Sequence, residues 1–199
     1  MPRTRKQNKA IRNKRKEQIL NSALKVFCYY PVSDVSVSRI AREAGCGHSL
    51  IYHYFKNVNE IAIEAIHYIH EYIDNLLKFT ENPTINPTIK FIGGISYFVD
   101  MVKADYKYAF YLHALFKLNK FVPEKENPYS QTNLRNRMHT LILETQKEGK
   151  VIDADPRLIV DLVYLYIRGI ISDIITEETN SHLRFTASAI YLPLLVKSN

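Results

Sequence analysis

Residues 36–55 read SVSRIAREAGCGHSLIYHYF and hold two short apolar stripes at helical spacing. The first stripe consists of Val37, Ile40, Ala41 and Ala44, and the second of Ile51, Tyr54 and Phe55. Ser36 is a typical N-cap for the first helix, and Gly45 is typical of the position just past its end. Only Cys46 and Gly47 then separate the two stripes, so both helices can pack across a tight turn. This pattern predicts a helix-turn-helix motif over about residues 36–55.

One helix precedes this motif and another follows it. Apolar residues recur at helical spacing from Lys16 to Tyr30, and Pro31 stops the pattern. Asn57 is a typical N-cap for the next helix, and Glu60 stands where its capping partner belongs. We therefore predict a three-helix headpiece over residues 16–61, with its second and third helices in the helix-turn-helix arrangement.

The rest of the chain is also predicted to be helical. A long stripe begins near residue 58, and further helices are expected near residues 88–103, 106–121, 129–148, 156–177 and 182–196. No segment shows the apolar–polar alternation typical of a strand. The predicted fold class is all-α with about nine helices, in which the headpiece is joined to a larger helical body over residues 62–199.

The excess positive charge lies at the N-terminus. The formal net charge is +7, and residues 1–16 hold eight basic groups and no acidic group. The remaining residues hold 19 basic and 20 acidic groups. Because residues 1–15 contain few apolar side chains, we expect them to form a flexible basic arm. Such an arm suits a polyanion such as nucleic acid, and a solubilising tail or a segment that binds anionic lipid is the alternative.

Helical geometry also separates the faces of the second helix of the motif, expected over residues 48–55. Ile51 and Phe55 share the inward face, and the residues between them point outward. In helix-turn-helix proteins that bind DNA, the first residues of this helix reach base edges. The candidate DNA contacts are Gly47, His48, Ser49 and Leu50 for bases, Tyr52, His53 and Lys56 for the backbone, and Ser36, Val37 and Arg39 at the preceding helix. A solvated helix face is the alternative for each.

Two segments near the C-terminus are apolar on almost every side. A helix of this kind over residues 156–177 must be buried all round, and in a small protein this requires a partner. We predict a homodimer interface formed by Ile159, Val163, Tyr166, Ile170 and Ile174 together with Ile190 and Leu194. A deep core helix within a monomer is the alternative.

The body is rich in aromatic side chains, which suit a cavity for a small organic ligand. The candidate lining consists of Tyr68, Tyr72, Phe98, Tyr108, Tyr111 and Phe116, and an ordinary helical core is the alternative. His67 and His70 lie three residues apart, so that with His113 they could hold a metal. Scattered surface histidines are the preferred interpretation, and we expect neither a metal site nor a cofactor.

Other features limit the function class. Cys28 and Cys46 lack the spacing of a metal site, so small apolar filler is preferred over a redox role. No apolar stretch has the ~18 uncharged residues of a membrane span, and no signal peptide is evident, so we expect a cytoplasmic protein without membrane contact. Phosphate loops, nucleophile elbows, HExxH and paired-carboxylate motifs are also missing, so we expect no enzyme.

At these positions the sequence resembles the tetracycline-repressor (TetR) family of bacterial regulators. The matching residues are Ile19-Leu20, Ala23, Phe27, Ser36-Val37, Ile40-Ala41, Ala44-Gly45-Cys46-Gly47 and Ile51-Tyr52-His53-Tyr54-Phe55. A weaker match covers Glu148-Gly149-Lys150-Val151-Ile152 and Asp155-Pro156. The chain departs from the family pattern at Pro31, Gly47 and Val58. The resemblance implies a dimer that binds a palindromic operator in double-stranded DNA as a repressor and leaves it when a small effector binds. The alternative is a DNA-binding protein that is controlled by a protein partner or acts architecturally.

Overall fold

The computed structural model describes residues 4–118, 121, 123, 127, 129–177 and 186–196. This part of the chain contains nine α-helices and no extended strand, since its one β-type pairing is the isolated bridge between Val151 and Leu195. The predicted all-α class is therefore confirmed. None of the described helices combines the length and apolar character needed to cross a bilayer.

The helices follow the predicted order along the chain. The headpiece contains α1 (Arg5–Tyr29), α2 (Val37–Glu43) and α3 (His48–Tyr52). The body contains α4 (Val58–Glu81), α5 (Pro87–Ala104), α6 (Lys107–Leu118), α7 (Gln131–Lys147), α8 (Pro156–Glu177) and α9 (Ala187–Tyr191).

Helix α1 corrects the prediction of a flexible arm. It begins at Arg5 rather than near Lys16, so most of the basic segment is helical. A capping box holds this start, because the Thr4 hydroxyl accepts a hydrogen bond from the Gln7 N–H while the Gln7 side chain accepts one from the Thr4 N–H. Once the apolar face of residues 19–28 is buried, extending the helix through Lys, Arg and Gln costs little, because these residues are good helix formers.

The turn between α2 and α3 has the predicted geometry. Gly45 has φ +61°, and its N–H donates to the Arg42 carbonyl while the Cys46 N–H donates to the Ala41 carbonyl. These two bonds form a Schellman motif, in which glycine takes the left-handed conformation at least cost. Gly45 thus ends α2 and allows α3 to begin after only two intervening residues, Cys46 and Gly47.

Helix α3 is shorter than predicted, because it ends at Tyr52 and not at Phe55. The Tyr54 N–H donates to the Ile51 carbonyl, so the chain tightens to a three-residue spacing in this turn. This tighter path brings Phe55 into the core, where its side chain is almost completely buried. The free energy gained by burying the Phe55 side chain offsets the free energy lost by ending the regular α-helix at Tyr52.

Two apolar cores meet at α6. The headpiece core combines buried residues of α1–α4 with Tyr111, Ala114, Leu115 and Leu118 of α6. The body core combines α5, α8 and the C-terminal segment with Ala109 of α6 and Ile142 of α7. Because α6 supplies buried side chains to both cores, the headpiece and the body are packed against each other rather than loosely linked.

The C-terminal segment differs from the helix predicted over residues 182–196. Residues 178–185 lie outside the described residues, and α9 covers only Ala187–Tyr191. A short 3₁₀ turn follows over Leu192–Leu194, because Pro193 cannot donate the hydrogen bond that would continue the α-helix. The chain then pairs with the loop before α8, where the Ile152 N–H donates to the Leu194 carbonyl over 2.9 Å.

Candidate nucleic-acid interface and internal cavity

The outer surface of α3 carries the predicted DNA contacts in exposed positions. His48, Ser49 and His53 are exposed, and 58 % of the Tyr52 side chain is accessible. On the opposite side, Ile51 is completely buried and fixes the rotation of the helix. The predicted division into inward and outward faces is therefore confirmed, while DNA contact itself stays a prediction.

The N-termini of α2 and α3 are capped differently. The Ser36 hydroxyl accepts a hydrogen bond from the Arg39 N–H over 3.2 Å, which caps α2 as predicted. Gly47 is exposed and caps α3 without a side-chain hydrogen bond. The Arg39 guanidinium of α2 lies 3.8 Å from the centre of the Tyr30 ring, and this cation–π contact holds the guanidinium beside the end of α1. The start of α2 thus has a side-chain cap and a nearby cation, while the start of α3 has only the exposed Gly47.

Two of the residues predicted to contact DNA also pack within the protein. Val37 packs against the headpiece core, and the Leu50 side chain is half-buried. Lys56 is exposed, and its backbone N–H donates to the Glu60 carboxylate over 2.5 Å. Asn57 caps α4 as predicted by accepting from the Glu60 N–H over 2.9 Å. The Lys56 ammonium is thus available at the surface, while the Lys56 backbone N–H is bound to Glu60 in the first turn of α4.

The basic half of α1 runs beside the turn that follows α3. The Arg12 guanidinium lies 5.9 Å from the centre of the Tyr54 ring. Lys16 forms an ion pair with Glu64 of α4 over 2.7 Å, and its ammonium lies 5.7 Å from the centre of the Phe55 ring. These contacts place Arg12 and Lys16 beside the turn that follows α3, and the other cations of residues 5–15 lie on the same helix.

Neutralising this helix is expected to weaken binding to every DNA sequence. The variant carries glutamine in place of Arg5, Lys6, Lys9, Arg12, Lys14 and Arg15, which preserves helix propensity. The slope of log affinity against log salt concentration should fall by about 0.9 for each phosphate that the variant no longer neutralises. A control with glutamine at Lys147, Lys150 and Arg157 of the body should keep the wild-type slope. The same slope in both variants would contradict a role for α1 on DNA.

A cavity of about 440 Å³ that is partly open to solvent lies between α4, α5, α6, α7 and α8. Phe98 and Phe116 line it, as predicted. The prediction is wrong for Tyr68, Tyr108 and Tyr111, which pack with the headpiece core instead. The Tyr72 side chain lies outside the described residues. Further lining residues not predicted from the sequence include Ile73, Leu77, Lys90, Phe91, Met101, Leu115, Arg137, Met138, Tyr164 and Ile167.

Two of the tyrosines that do not line the cavity, Tyr68 and Tyr111, have polar partners at the junction of headpiece and body. The Tyr111 hydroxyl donates to the Asn21 side chain over 2.5 Å, and the Tyr68 hydroxyl donates to Glu17 over 2.9 Å. Both bonds connect the body to α1. A tyrosine with a buried ring and a hydroxyl that reaches a polar partner is typical of such a junction.

The cavity wall is mostly apolar but contains a few polar groups. Lys90 is one of the few charged residues that the structure buries. Arg137 forms an ion pair with Glu81 across the wall. The Tyr164 hydroxyl is buried and has no hydrogen-bond partner among the described residues, and this burial raises the pKa of Tyr164 above its usual value. A few polar groups in an apolar wall are typical of a site for a small organic molecule.

Helix α6 connects the cavity to the headpiece. Leu112 and Phe116 line the cavity, while Tyr111 and Leu118 are buried in the headpiece core. The α6 backbone also contacts α1 directly, because the Cys28 thiol donates to the Phe110 carbonyl over 2.9 Å. A change in the cavity that shifts α6 therefore acts on α1.

Cys28 has the properties of a packing residue. Burial raises the pKa of its thiol to about 12, so the reactive thiolate is scarce near neutral pH. The nearby carbonyl of Cys28 accepts a hydrogen bond from the Lys117 ammonium. These contacts agree with small apolar filler as the preferred interpretation. Both cysteines are free in this structure, and Cys46 is only half-buried.

Helix α8 corrects most of the predicted dimer interface. Ile159, Val163, Ile170, Ile190 and Leu194 are buried in the body core, so their side chains cannot reach a partner. Ile174 is half-buried against the same core, and Tyr166 is exposed. The exposed apolar surface of α8 instead consists of Leu158, Leu162, Leu165 and Tyr166, which we call the α8 stripe. Their spacing of four, three and one residues places them on one side of the helix.

The histidines of α4 do not form a metal cluster. Within the described residues, no group of three or more His, Cys, Asp or Glu side chains is placed to hold a metal ion. His67 and His70 lie with their ring centres 5.9 Å apart, and the His70 ring packs against Tyr129 at 3.9 Å. Burial lowers the pKa of His70 to about 4, so it is neutral at physiological pH.

Comparison with known proteins finds a family match over most of the headpiece and the start of α4. Residues 19–65 match the family described as bacterial regulatory proteins, tetR family. Among curated proteins, no sequence matches this chain significantly.

Solved structures with a similar fold cover most of the chain. A TetR-like transcriptional regulator from Rhodococcus sp. RHA1 is 18 % identical with a TM-score of 0.66, over 88 % of this chain and 91 % of that one. FadR from Bacillus subtilis, solved in complex with stearoyl-CoA, is 18 % identical with a TM-score of 0.63, over 92 % and 99 %. SmeT, the repressor of the Stenotrophomonas maltophilia multidrug efflux pump SmeDEF, is 14 % identical with a TM-score of 0.63, over 92 % and 91 %.

Proposed function

We propose that this chain is a transcriptional repressor of the kind described by the family that its residues 19–65 match, the tetR family of bacterial regulatory proteins, and that a small organic molecule releases it from its operator. The observation that carries the proposal is the exposed polar surface of α3, held across the Gly45 turn in the family's DNA-binding domain. The proposed site of action is the cytoplasm, where bacterial DNA lies. The proposal includes no catalytic role.

On DNA, α3 would enter the major groove with its N-terminus first. Gly47, His48, Ser49 and Leu50 then face base edges, where a serine or histidine can form hydrogen bonds and a leucine can contact a thymine methyl group. Tyr52, His53 and Lys56 follow on the same side and contact phosphates. Ser36, Val37 and Arg39 lie at the start of α2, where backbone N–H groups favour an anion.

The proposed assembly is a homodimer. The α8 stripe exposes large apolar side chains side by side, as expected of a surface that a second copy covers. A two-fold dimer presents two α3 helices to half-sites about one helical turn of DNA apart, which matches a palindromic operator.

The cavity supports a response to a ligand. FadR was solved with stearoyl-CoA, and this chain has a mostly apolar cavity in a body of similar fold. We propose that an organic ligand shifts α6, and that α6 moves α1 through the Tyr111–Asn21 and Cys28–Phe110 contacts. The two α3 helices of a dimer then no longer match the spacing of the half-sites.

Replacing Tyr52 with alanine is expected to weaken operator binding roughly tenfold to a hundredfold, because the ring is the largest exposed group on α3. Affinity would be measured by fluorescence anisotropy on an operator selected from random DNA. Tyr29→Ala is the matched control, because Tyr29 is a similarly exposed tyrosine on the neighbouring helix. Equal losses in both variants would argue against α3 as the reading element. Footprints that coat DNA without preference would favour the architectural alternative.

A further inference from the structure

Lys90 is a buried residue of the cavity wall whose ammonium has no ion-pair or hydrogen-bond partner among the described residues. Lys90 lies in the first turn of α5, lines the cavity and has a side chain that is only 8 % exposed. Within the described part of the chain, no carboxylate oxygen lies within 4.0 Å of its ammonium, and no hydrogen bond reaches it. The side chain therefore offers the cavity a positive charge that no described residue pairs with.

The carboxylates near this wall are either paired elsewhere or exposed to water. Glu81 is paired with Arg137. Glu148 accepts hydrogen bonds from the Asn86 amide and the Thr88 hydroxyl, each over 2.6 Å. Glu144 also lines the cavity, but its side chain is exposed, so water and salt screen its charge. Lys90 is thus the cation of this wall that is available to an incoming anion.

The cavity is polarised along α5. The hydrogen bonds to Glu148 hold the start of α5 against the end of α7. Lys90 therefore lies at the end of the cavity where the start of α5 meets the end of α7. Phe98 and Met101 lie eight and eleven residues further along α5, at about 12 and 16 Å by helical rise. Phe116 and Tyr164 pack with their ring centres 5.6 Å apart, and both contribute to the cavity wall. The cavity thus has a charged end near Lys90 and is largely apolar toward Phe98 and Met101.

We infer that the cavity binds an amphiphile with one hydrocarbon chain and a carboxylate head, with the head against the Lys90 ammonium and the chain toward Phe98 and Met101. An ion pair in this mostly apolar wall gives the Lys90 ammonium a partner, and the chain covers apolar side chains of α4, α5 and α6. The regulatory meaning of this ligand rests on the proposed function. Its binding is a property of the free protein and can be measured without DNA.

Calorimetric titration of the full chain tests this inference with three matched probes. They are straight-chain carboxylates of about eight to fourteen carbons, the alcohols of equal length and the corresponding alkyltrimethylammonium ions, each below its micelle concentration. Carboxylate affinity should rise about fourfold per methylene until the cavity is filled. The carboxylate should bind about tenfold tighter than the alcohol, and the ammonium ion weaker than both.

Variants of Lys90 separate charge from shape. Lys90→Met should remove the preference for the carboxylate while leaving alcohol affinity unchanged, which also shows that the cavity has kept its fold. Lys90→Arg should keep the preference. Glu144→Gln should keep or strengthen it, because that change removes a negative charge from the wall.

Three results would overturn the inference: no binding of any probe, a wild-type preference for the alcohol or the ammonium ion, or a carboxylate preference that survives Lys90→Met. The proposed function is measured separately, as operator affinity with and without the carboxylate. Operator binding without carboxylate binding would overturn this inference alone. Carboxylate binding that leaves operator affinity unchanged would overturn the proposed ligand response and not the site.

Discussion

Replacing both Leu162 and Leu165 with aspartate is expected to yield a monomer and to weaken operator binding about 100-fold or more. The two side chains are 49 % and 66 % exposed and lie at the centre of the α8 stripe. In the proposed dimer, each copy would have to bury two carboxylates in an apolar interface, which costs several kcal/mol per ion. A monomer also cannot use the second half-site, whose binding is intramolecular in a dimer.

The oligomeric state would be measured by sedimentation velocity and operator affinity by fluorescence anisotropy. A control double variant, Ile89→Asp with Leu143→Asp, changes two exposed apolar residues of α5 and α7. It should stay dimeric and keep wild-type affinity. A dimer that survives the α8 change but not the control change would move the interface to the other face of the body.

Phe27→Ala is expected to destabilise the protein by about 3–5 kcal/mol. Phe27 is completely buried in the headpiece core, and truncation leaves a cavity that the surrounding helices fill only in part. Typical domains are stable by only about 5–15 kcal/mol, so the destabilisation is a large fraction of the total. Urea unfolding followed by circular dichroism measures it.

The same experiment tests whether the headpiece is an independent unit. Its core includes buried side chains of α6, so we expect wild type and variant each to unfold in one transition. Phe27→Leu should cost less than about 1.5 kcal/mol, because most of the volume is kept. Tyr29→Ala should have little effect, since that ring is exposed on the same helix. Two separate transitions would show that the α1–α6 junction is weak.

The local features of the headpiece could be predicted from the sequence. Pro31, Ser36, Gly45 and Asn57 act on their own backbone or on residues within four positions, so their effects need no knowledge of the rest of the chain. The outward position of Tyr52 also follows from helical periodicity around Ile51. For this reason the order of the helices and the exposed surface of α3 agree with the prediction.

The placements that depend on distant neighbours could not be predicted. Helix α8 is apolar on most sides, so its sequence does not show that Ile159 and Val163 pack inside while Leu162 and Leu165 stay exposed. Likewise, the sequence marks Tyr111 as aromatic, but only the packing of α6 against α1 directs it to Asn21 instead of the cavity.

Residue type and spacing thus determined the all-α class, the helix-turn-helix and the face that α3 exposes, because those depend on hydrogen bonds and periodicity within a few turns of chain. Tertiary structure decided which helix sides are covered and that Lys90 is buried in the cavity wall. Burial is a property of contacts between residues far apart in sequence, and the periodicity of one helix does not contain it.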